Sequence, residues 1–340
     1  MQYEQLGSTG AFVSRVALGT MTFGGAGTQP WDLLGALDLK AADRLVGMAL
    51  DAGVNLVDTA DIYAGGECEE FLGQILAGRR RDVVLATKLY ARMGPGPNDA
   101  GLSRIHVMRS LEDSLRRLRT DHVDLYQIHS FDPVTPLEET LSALDDAVRQ
   151  GKVRYVGASN LAAWQLAKAL GVSERHGLAR FVSLQSYYSL VGRDLDREIL
   201  PLIREERLGM LVYSPLAGGF LSGKFGREGV SDASARQAQV ENPPIDRERG
   251  YDVIDVMRAV AARHGIGVAT VALAWVLAQP GVTSVIVGAK RPDQLTENLG
   301  AADVQLTEQD LAELEAVSAL PPSYPGWVQA GAHPSRLPQG

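Results

Sequence analysis

The sequence predicts an α/β fold, a (β/α)8 barrel of the TIM type with an N-terminal β-hairpin and long loops on the C-terminal face. Three observations lead there. Short apolar runs recur along 340 residues, each followed by a stretch with helical periodicity. The runs are almost continuously apolar, as expected of parallel strands covered on both faces. Eight such units follow one another within about 270 residues with no break in composition, which suits one closed barrel. A doubly wound sheet is the alternative, but it usually carries G-x-G-x-x-G after an early strand, and no such fingerprint occurs here.

Taken in order, "YEQLGSTGAFVSRVALG" reads as a hairpin over about residues 1–17, turning at Gly7–Gly10 and placed to plug the barrel floor. The strand runs are "RVALG" (15–19), "NLVDTA" (55–60), "DVVLATK" (82–88) and "VDLYQIH" (123–129). They continue with "VRYVGASN" (153–160), "FVSLQ" (181–185), "MLVYSP" (210–215) and "TSVIVGA" (283–289). Between them, "AADRLVGMALDAG" (41–53) stops at Gly53, and "IHVMRSLEDSLRRLRT" (105–120) spaces its apolar residues by three and four. "PLEETLSALDDAVRQG" (136–151) opens on Pro136 and closes on Gly151, the usual asymmetry of helix ends. The stretch 225–250 lacks periodicity and contains two adjacent prolines, so it reads as a long functional or mobile loop. One domain over 1–340 is expected, with a tail from about 320.

Composition narrows the function. The chain is 45% hydrophobic and 22% charged, with a net charge of −8 and a pI near 5.3. It has no basic stripe with interleaved aromatics, which argues against nucleic acid as a partner. The run "GRRRD" (78–82) is short enough to be a solvated loop. A single cysteine, Cys68, allows no intrachain disulfide and fits a reducing compartment. The start "MQYEQLGSTG" lacks the features of a secretory signal. The most apolar segment, "VATVALAWVLA" (268–278), is shorter than the ~20 residues a membrane span needs. A cytoplasmic protein with no membrane partner is the expectation. The sequence carries no signal for oligomeric state or for a metal site.

Ligand chemistry in such a barrel sits where the strands end. The second strand ends at Asp58, with Tyr63 in the loop after it; the third ends at Lys88 and the fourth at His129. The fifth delivers Ser159 and Asn160, the sixth Gln185, the seventh Tyr213 and Ser214, the eighth Gly288. Serine, asparagine and glycine could merely mark strand ends. An aspartate, a lysine and a histidine closing three apolar strands are harder to explain that way, because unpaired buried charge is costly. Asp61 reads as a loop-stabilising residue.

These residues lie in blocks that carry a resemblance. "GTMTFGG" (19–25), "AGVNLVDTADIYAGGECEEFLG" (52–73), "VVLATK" (83–88) and "SLRRLRTDHVDLYQIH" (114–129) resemble an aldo-keto reductase in order and spacing. So do "GKVRYVGASN" (151–160), "LVYSPLAGGFLSGK" (211–224) and "IVGAKRPDQLTENLGA" (286–301). The likeness extends over residues 1 to about 305 and touches the channel β-subunit-like and general stress-type branches. It implies a barrel that binds a nicotinamide cofactor without a Rossmann fold and reduces an aldehyde or ketone, with alcohol oxidation as the reverse.

By that pattern Tyr63 is the general acid, Lys88 and Asp58 tune it, and His129 orients the substrate carbonyl. Elementary chemistry agrees. Hydride addition builds charge on oxygen and needs a proton donor beside a polarising group. Tyrosine, with a pKa of about 10, is helped by a neighbouring ammonium that favours phenolate. The resemblance further implies that Ser159, Asn160 and Gln185 hold the nicotinamide carboxamide and that Tyr213 stacks on the ring. Each of the four could otherwise be a satisfied strand-end residue.

Cofactor contacts are implied for Ser214, Leu216, Gly218 and Lys224. "GGFLSGKF" (218–225) nearly spells a phosphate loop, but Phe225 replaces the hydroxyl that would bind magnesium, so an NTPase is disfavoured. Glycines ahead of a lysine still suit a pyrophosphate. Gly288 leads into a helix start, where Lys290 and Arg291 favour a 2′-phosphate and hence NADPH, with NADH the alternative. Gln294 stands where many relatives carry arginine. Glu297 and Asn298 match adenine contacts. Arg236 resembles a basic residue strapping the pyrophosphate, with a solvated loop arginine as the other reading. Trp31, Tyr90, Phe131 and Trp327 are candidate walls of an apolar substrate pocket, or else packing.

Two further functions stay open. One is a cofactor-sensing regulatory subunit with little turnover. The other is an NAD(P)-linked sugar or alcohol dehydrogenase working mainly by oxidation. Short-chain dehydrogenase chemistry is disfavoured, since no tyrosine has a lysine four positions later.

Overall fold

The computed structural model describes residues 1–232 and 235–332. Two strands, β1 (Tyr3–Gln5) and β2 (Phe12–Ser14), pair antiparallel with Tyr3 opposite Ser14. There follow β3 (Val16–Gly19), β4 (Leu56–Asp58), β5 (Val84–Leu89), β6 (Val123–Ile128), β7 (Val153–Ser159), β8 (Phe181–Tyr187) and β9 (Gly209–Tyr213). A small ribbon of β10 (Phe225–Gly226) and β11 (Gly229–Val230) precedes β12 (Val282–Val287). Strands β3 to β9 run parallel in sequence order, and β12 bonds both β9 and β3, so the barrel closes.

Strand periodicity explains what fills it. Side chains repeat a face every two residues, so each strand contributes alternate positions to the barrel interior. Ala17, Leu56, Ala86, Leu125, Leu211 and Ile286 form an apolar inner cluster that Leu6 and Val13 of the hairpin close from one end. Two residues further along the same strands, the inward positions are Asp58, Lys88, Gln127 and Tyr213. The interior changes from an apolar floor to a polar rim within one strand repeat.

Helices cover the outside: α1 (Trp31–Leu34), α2 (Leu39–Asp51), α3 (Glu67–Ile75), α4 (Arg104–Leu118), α5 (Leu137–Arg149), α6 (Ala163–His176) and α7 (Ile199–Glu205). Then come α8 (Arg236–Gln239), α9 (Arg247–His264), α10 (Val268–Ala278), α11 (Pro292–Gly300), α12 (Glu308–Ser318) and α13 (Gly326–Ala332). Side-chain caps start several of them. Asp38 accepts from Ala41 N at 2.8 Å, and Thr307 and Asp310 form a capping box on α12. Helix α10 is apolar all round and is buried accordingly, with Trp275 fully enclosed. Among the described residues no helix is long and apolar enough to cross a membrane.

The stretch 225–250 departs from the expected irregular loop. It holds the β10–β11 ribbon, α8 and the first turn of α9. Ion pairs organise it, Lys224 with Asp232 at 2.7 Å and Arg227 with Glu248 at 2.7 Å, and Asp246 caps α9 by accepting from Arg249 N. Order built from charge pairs leaves no hydrophobic period to read.

Gly7 shows how closely the plug is seated. Its φ is +59°, and a Cβ there would stand 2.4 Å from Val182 O and 2.9 Å from Gly209 N. We expect Gly7→Val to lift the hairpin from the barrel floor and cost about 2–4 kcal/mol, read as a lower midpoint in chemical denaturation. An unchanged midpoint would mean that the hairpin is not a seated part of the core.

Candidate active site

The rim is assembled by strand register. Asp58 ends β4, Lys88 is the penultimate residue of β5, and His129 follows β6. Beyond β4 the chain keeps bonding to β5: Thr59 N donates to Ala86 O at 2.9 Å and Asp61 N to Lys88 O at 3.1 Å. That continued pairing and the turn in which Tyr63 N donates to Ala60 O at 3.2 Å set Tyr63 beside Lys88.

Lys88 Nζ is fully buried and donates to Asp58 Oδ2 at 2.6 Å, to Thr59 O at 2.8 Å and to Tyr63 Oη at 3.4 Å. It also lies 5.1 Å from the Tyr63 ring centroid. The other carboxylate oxygen, Asp58 Oδ1, accepts from Gln185 Nε2 at 2.8 Å and Gln127 Nε2 at 3.1 Å. Tyr63 meets the His129 ring edge-on with centroids 6.1 Å apart, and the Trp31 ring likewise at 6.1 Å. All four expected catalytic positions therefore converge.

Their protonation follows from burial and charge. Burial opposes the Lys88 ammonium, but Asp58, aided by Tyr63, outweighs it and the pKa is raised. His129 is lowered to about 3, by burial first and then by Lys88, so its imidazole is neutral. For Tyr63 the ammonium pushes the pKa down as anticipated. Burial pushes harder, Asp58 adds to it, and the net direction is upward. The expectation of a lowered tyrosine is corrected to that extent.

The remaining rim residues are mutually bonded. Asn160, at φ +56°, donates Nδ2 to His129 O at 3.0 Å and to Ser159 Oγ at 3.1 Å, and its Oδ1 accepts from Tyr213 Oη at 2.9 Å. Gln185 has its NH2 turned inward onto Asp58 and Gln127, whereas a ligand was expected to receive it. Ser214 Oγ accepts from Gly218 N at 3.0 Å, and Leu216 O accepts from Gly219 N and Leu221 N, which folds 214–223 into a tight loop.

The basic residues have partners of their own. Lys224 pairs with Asp232, Lys290 Nζ donates to Leu33 O at 3.0 Å, and Arg291 is turned onto Asp293 at 3.0 Å. Gln294 caps the approach to α11 by accepting from Lys290 N at 3.0 Å. Asn298 Nδ2 reaches Gly288 O at 3.4 Å, and the Glu297 carboxylate lies against Gly267 at the start of α10. Arg236 Nε is buried without a hydrogen-bond partner among the described residues, and Tyr63 is close enough to act on its charge.

Of the expected pocket walls, Trp31 borders Tyr63 and Phe131 contacts Trp164, rings 5.9 Å apart. Tyr90 packs against the core between strands and helices. Trp327 does not join the cluster. It stands 59% exposed on α13, and its ring partner among the described residues is Tyr324. Sequence reading missed Gln127 and Trp164. A polar residue inside the apolar run "LYQI" was a signal for the first; an exposed aromatic in a helix's first turn gave none for the second. No group of three or more metal-ligating residues occurs among the described residues.

A buried carboxylate–lysine–tyrosine cluster with a neutral histidine thus lies at the C-terminal rim of an eight-stranded barrel. Residues 15–319 match the Aldo/keto reductase family model, and the chain belongs to that family of oxidoreductases. It is 39% identical to an uncharacterized oxidoreductase, YrpG, of Bacillus subtilis, over 93% of this chain and 96% of that protein. It is 37% identical to a probable voltage-gated potassium channel subunit beta of Oryza sativa, over 93% and 96%. With the versiconal hemiacetal acetate reductase of Aspergillus parasiticus it shares 32% identity over 96% and 99%.

Behind the rim, Asp61 is wholly buried. Its Oδ2 accepts from Ser110 Oγ at 2.9 Å, while Oδ1 has no hydrogen-bond partner among the described residues. Its pKa is raised to about 7, by burial first and by Glu69 second. Between the unfolded value near 4 and about 7 the native state holds a proton that the unfolded chain has lost, so stability falls as pH rises through that window. From pH 5 to pH 8 the wild type should lose about 2–3 kcal/mol through this group. Asp61→Asn should flatten that slope in urea titrations; an unaltered slope would show that Asp61 does not carry it.

Proposed function

We propose that the protein is an NADPH-dependent carbonyl reductase in which Tyr63 gives the proton. The observation that carries this reading is Lys88, buried between the Asp58 carboxylate and the Tyr63 hydroxyl. Burial keeps Tyr63 protonated at neutral pH. As the substrate oxygen takes that proton, the phenolate left behind faces an ammonium already in place and already bonded. Neutral His129 offers a hydrogen bond to orient the carbonyl without adding a second positive charge beside Lys88. In the reverse direction Tyr63 must first lose its proton, which its environment opposes; this favours reduction.

The chain's residues fit a nicotinamide dinucleotide. Gly218, at φ +66°, lets the chain at Asn242 pack closely on the 214–223 loop, since a Cβ would meet Asn242 O at 2.7 Å. Arg236 Nε, buried without a partner among the described residues, has room for an acceptor. Lys290 is lowered by burial, then by Arg236 and Lys224, so three cations act on one region, as an anion site requires. Lys224 and Arg236 would hold the pyrophosphate, Lys290 and Arg291 the 2′-phosphate, and Ser159, Asn160 and Gln185 the carboxamide. The bound cofactor supplies the hydride. One barrel unit carries the whole site, and the aromatic edges of Trp31 and Phe131 favour an apolar aldehyde or ketone.

Tyr63→Phe should retain NADPH affinity in a fluorescence titration and lose about 10²–10⁴ in kcat. Full turnover by the variant would remove Tyr63 from the role. Replacing Lys290 and Arg291 by alanine should erode the NADPH/NADH preference by roughly tenfold or more; an unchanged ratio would move the 2′-phosphate site elsewhere. The similarity to the rice potassium channel subunit beta supports a second reading, a regulatory subunit that binds cofactor with little turnover. Tight NADPH binding without oxidation by any of a panel of carbonyls would favour it.

A further inference from the structure

Gln127 takes part in none of the roles so far described, yet it lies at the centre of the rim. It is fully buried in β6, side by side with Lys88 of β5 and Gly157 of β7 in the parallel register. An amide in that position is costly unless both ends are bonded. Here they are: Nε2 donates to Asp58 Oδ1 at 3.1 Å, and Oε1 accepts from Gln185 Nε2 at 3.3 Å. Gly157 makes the room. A Cβ there would stand 3.1 Å from Gln127 Cγ and 2.8 Å from Ser183 Oγ.

The two oxygens of Asp58 thus have separate surroundings. Oδ2 serves Lys88, and through it Tyr63, while Oδ1 rests on two amides that also touch each other. We propose that Gln127 is a positioning residue that ties Gln185 to Asp58, so that occupancy of the carboxamide subsite and proton donation by Tyr63 are coupled through one buried amide pair. This rests on the reductase reading for its functional end, though not for its binding end. A ligand that draws the Gln185 NH2 away from Oδ1 leaves Gln127 as the remaining donor on that oxygen. Gln127 then keeps the carboxylate from reorienting and losing its hold on Lys88.

The charged and titratable groups acting on Tyr63 are Lys88 on β5, Asp58 on β4, Cys68 on α3, His129 after β6 and Arg236 on α8. Among them Asp58 is the one that Gln127 touches. With a donor removed, Asp58 exerts a stronger negative field, which raises the Tyr63 pKa further. Reduction requires protonated Tyr63, so its basic limb should move to higher pH.

The test is a double-mutant cycle on the full chain, with NADPH affinity read by fluorescence titration for wild type, Gln127→Leu, Gln185→Leu and the double variant. Coupling predicts that Q127L weakens NADPH about fivefold in the wild-type background and has no further effect once Q185L is present. Additive effects would overturn the proposal, and they can be seen whether or not any carbonyl is turned over. In the reductase assay, Q127L should shift the basic limb of the kcat profile upward by about half a unit. A fall in thermal stability with an unmoved profile would mark Gln127 as merely structural. Gln127→Glu gives a second route should Q127L not fold: its protonated acid can donate to Asp58, so its activity should recover as pH falls, and equal loss at every pH would count against the proposal. A wild type that binds NADPH and reduces nothing would refute the reductase reading, and the binding cycle would still decide the coupling.

Discussion

Everything at the rim depends on the buried pair of Lys88 and Asp58. Two charges removed from water lose several kcal/mol of hydration each, and attraction alone does not reliably restore it. The structure meets this by saturating both partners. The ammonium has three acceptors, and the carboxylate has the ammonium and two amide donors. Such a cluster tolerates few substitutions, because removing one member leaves the other a buried charge without its counter-charge, a loss of about 3–5 kcal/mol. Its position is equally constrained. It occupies the interior layer directly above Leu56, Ala86 and Leu125, so the apolar floor holds the ion pair at a fixed height and the hairpin holds the floor.

From that pair follow three different protonation states within one cluster. Lys88 is held charged because Asp58 and its other neighbours outweigh desolvation. Tyr63 remains protonated because desolvation outweighs Lys88. His129 is neutral because burial and the same ammonium act on it in one direction. Environments that push neighbouring groups apart in pKa divide acid from electrostatic partner, a general route to proton chemistry at neutral pH. Burial is the larger cause for both Tyr63 and His129, and the ammonium acts on them in opposite senses, against the neutral tyrosine and for the neutral histidine.

The barrel and this cluster were legible in sequence because both are written in strand endings. An aspartate, a lysine and a histidine each closing an apolar run can be read without coordinates, and the hairpin turn announces itself in glycines. What escaped has physical reasons. Gln127 is inside its strand rather than at its end, and only the two-residue repeat shared with Leu125 makes it an inward residue. The inward turn of Gln185 depends on a carboxylate 127 positions away. The order in 225–250 rests on ion pairs such as Arg227 with Glu248, which leave no apolar period. Trp327 has an aromatic's credentials for a pocket wall, but a side chain's placement on a terminal helix is set by what the helix packs against, and its sequence does not say.

The phosphate-side residues obey a different logic from the core. Lys224, Lys290 and Arg291 are each engaged with a local acceptor at the surface, Asp232, Leu33 O and Asp293. Exposed pairs of this kind contribute little, about 0–1 kcal/mol, so exchanging them for a phosphate costs little, and the resting partners keep like charges from spreading the loop in the meantime. The buried pair at the barrel mouth cannot be exchanged on such terms. On the proposed reading the protein therefore separates its two tasks by depth. Recognition is built from weak, replaceable contacts on loops, and proton transfer from a cluster whose Lys88–Asp58 pair stays in place while the amides on Asp58 Oδ1 can rearrange.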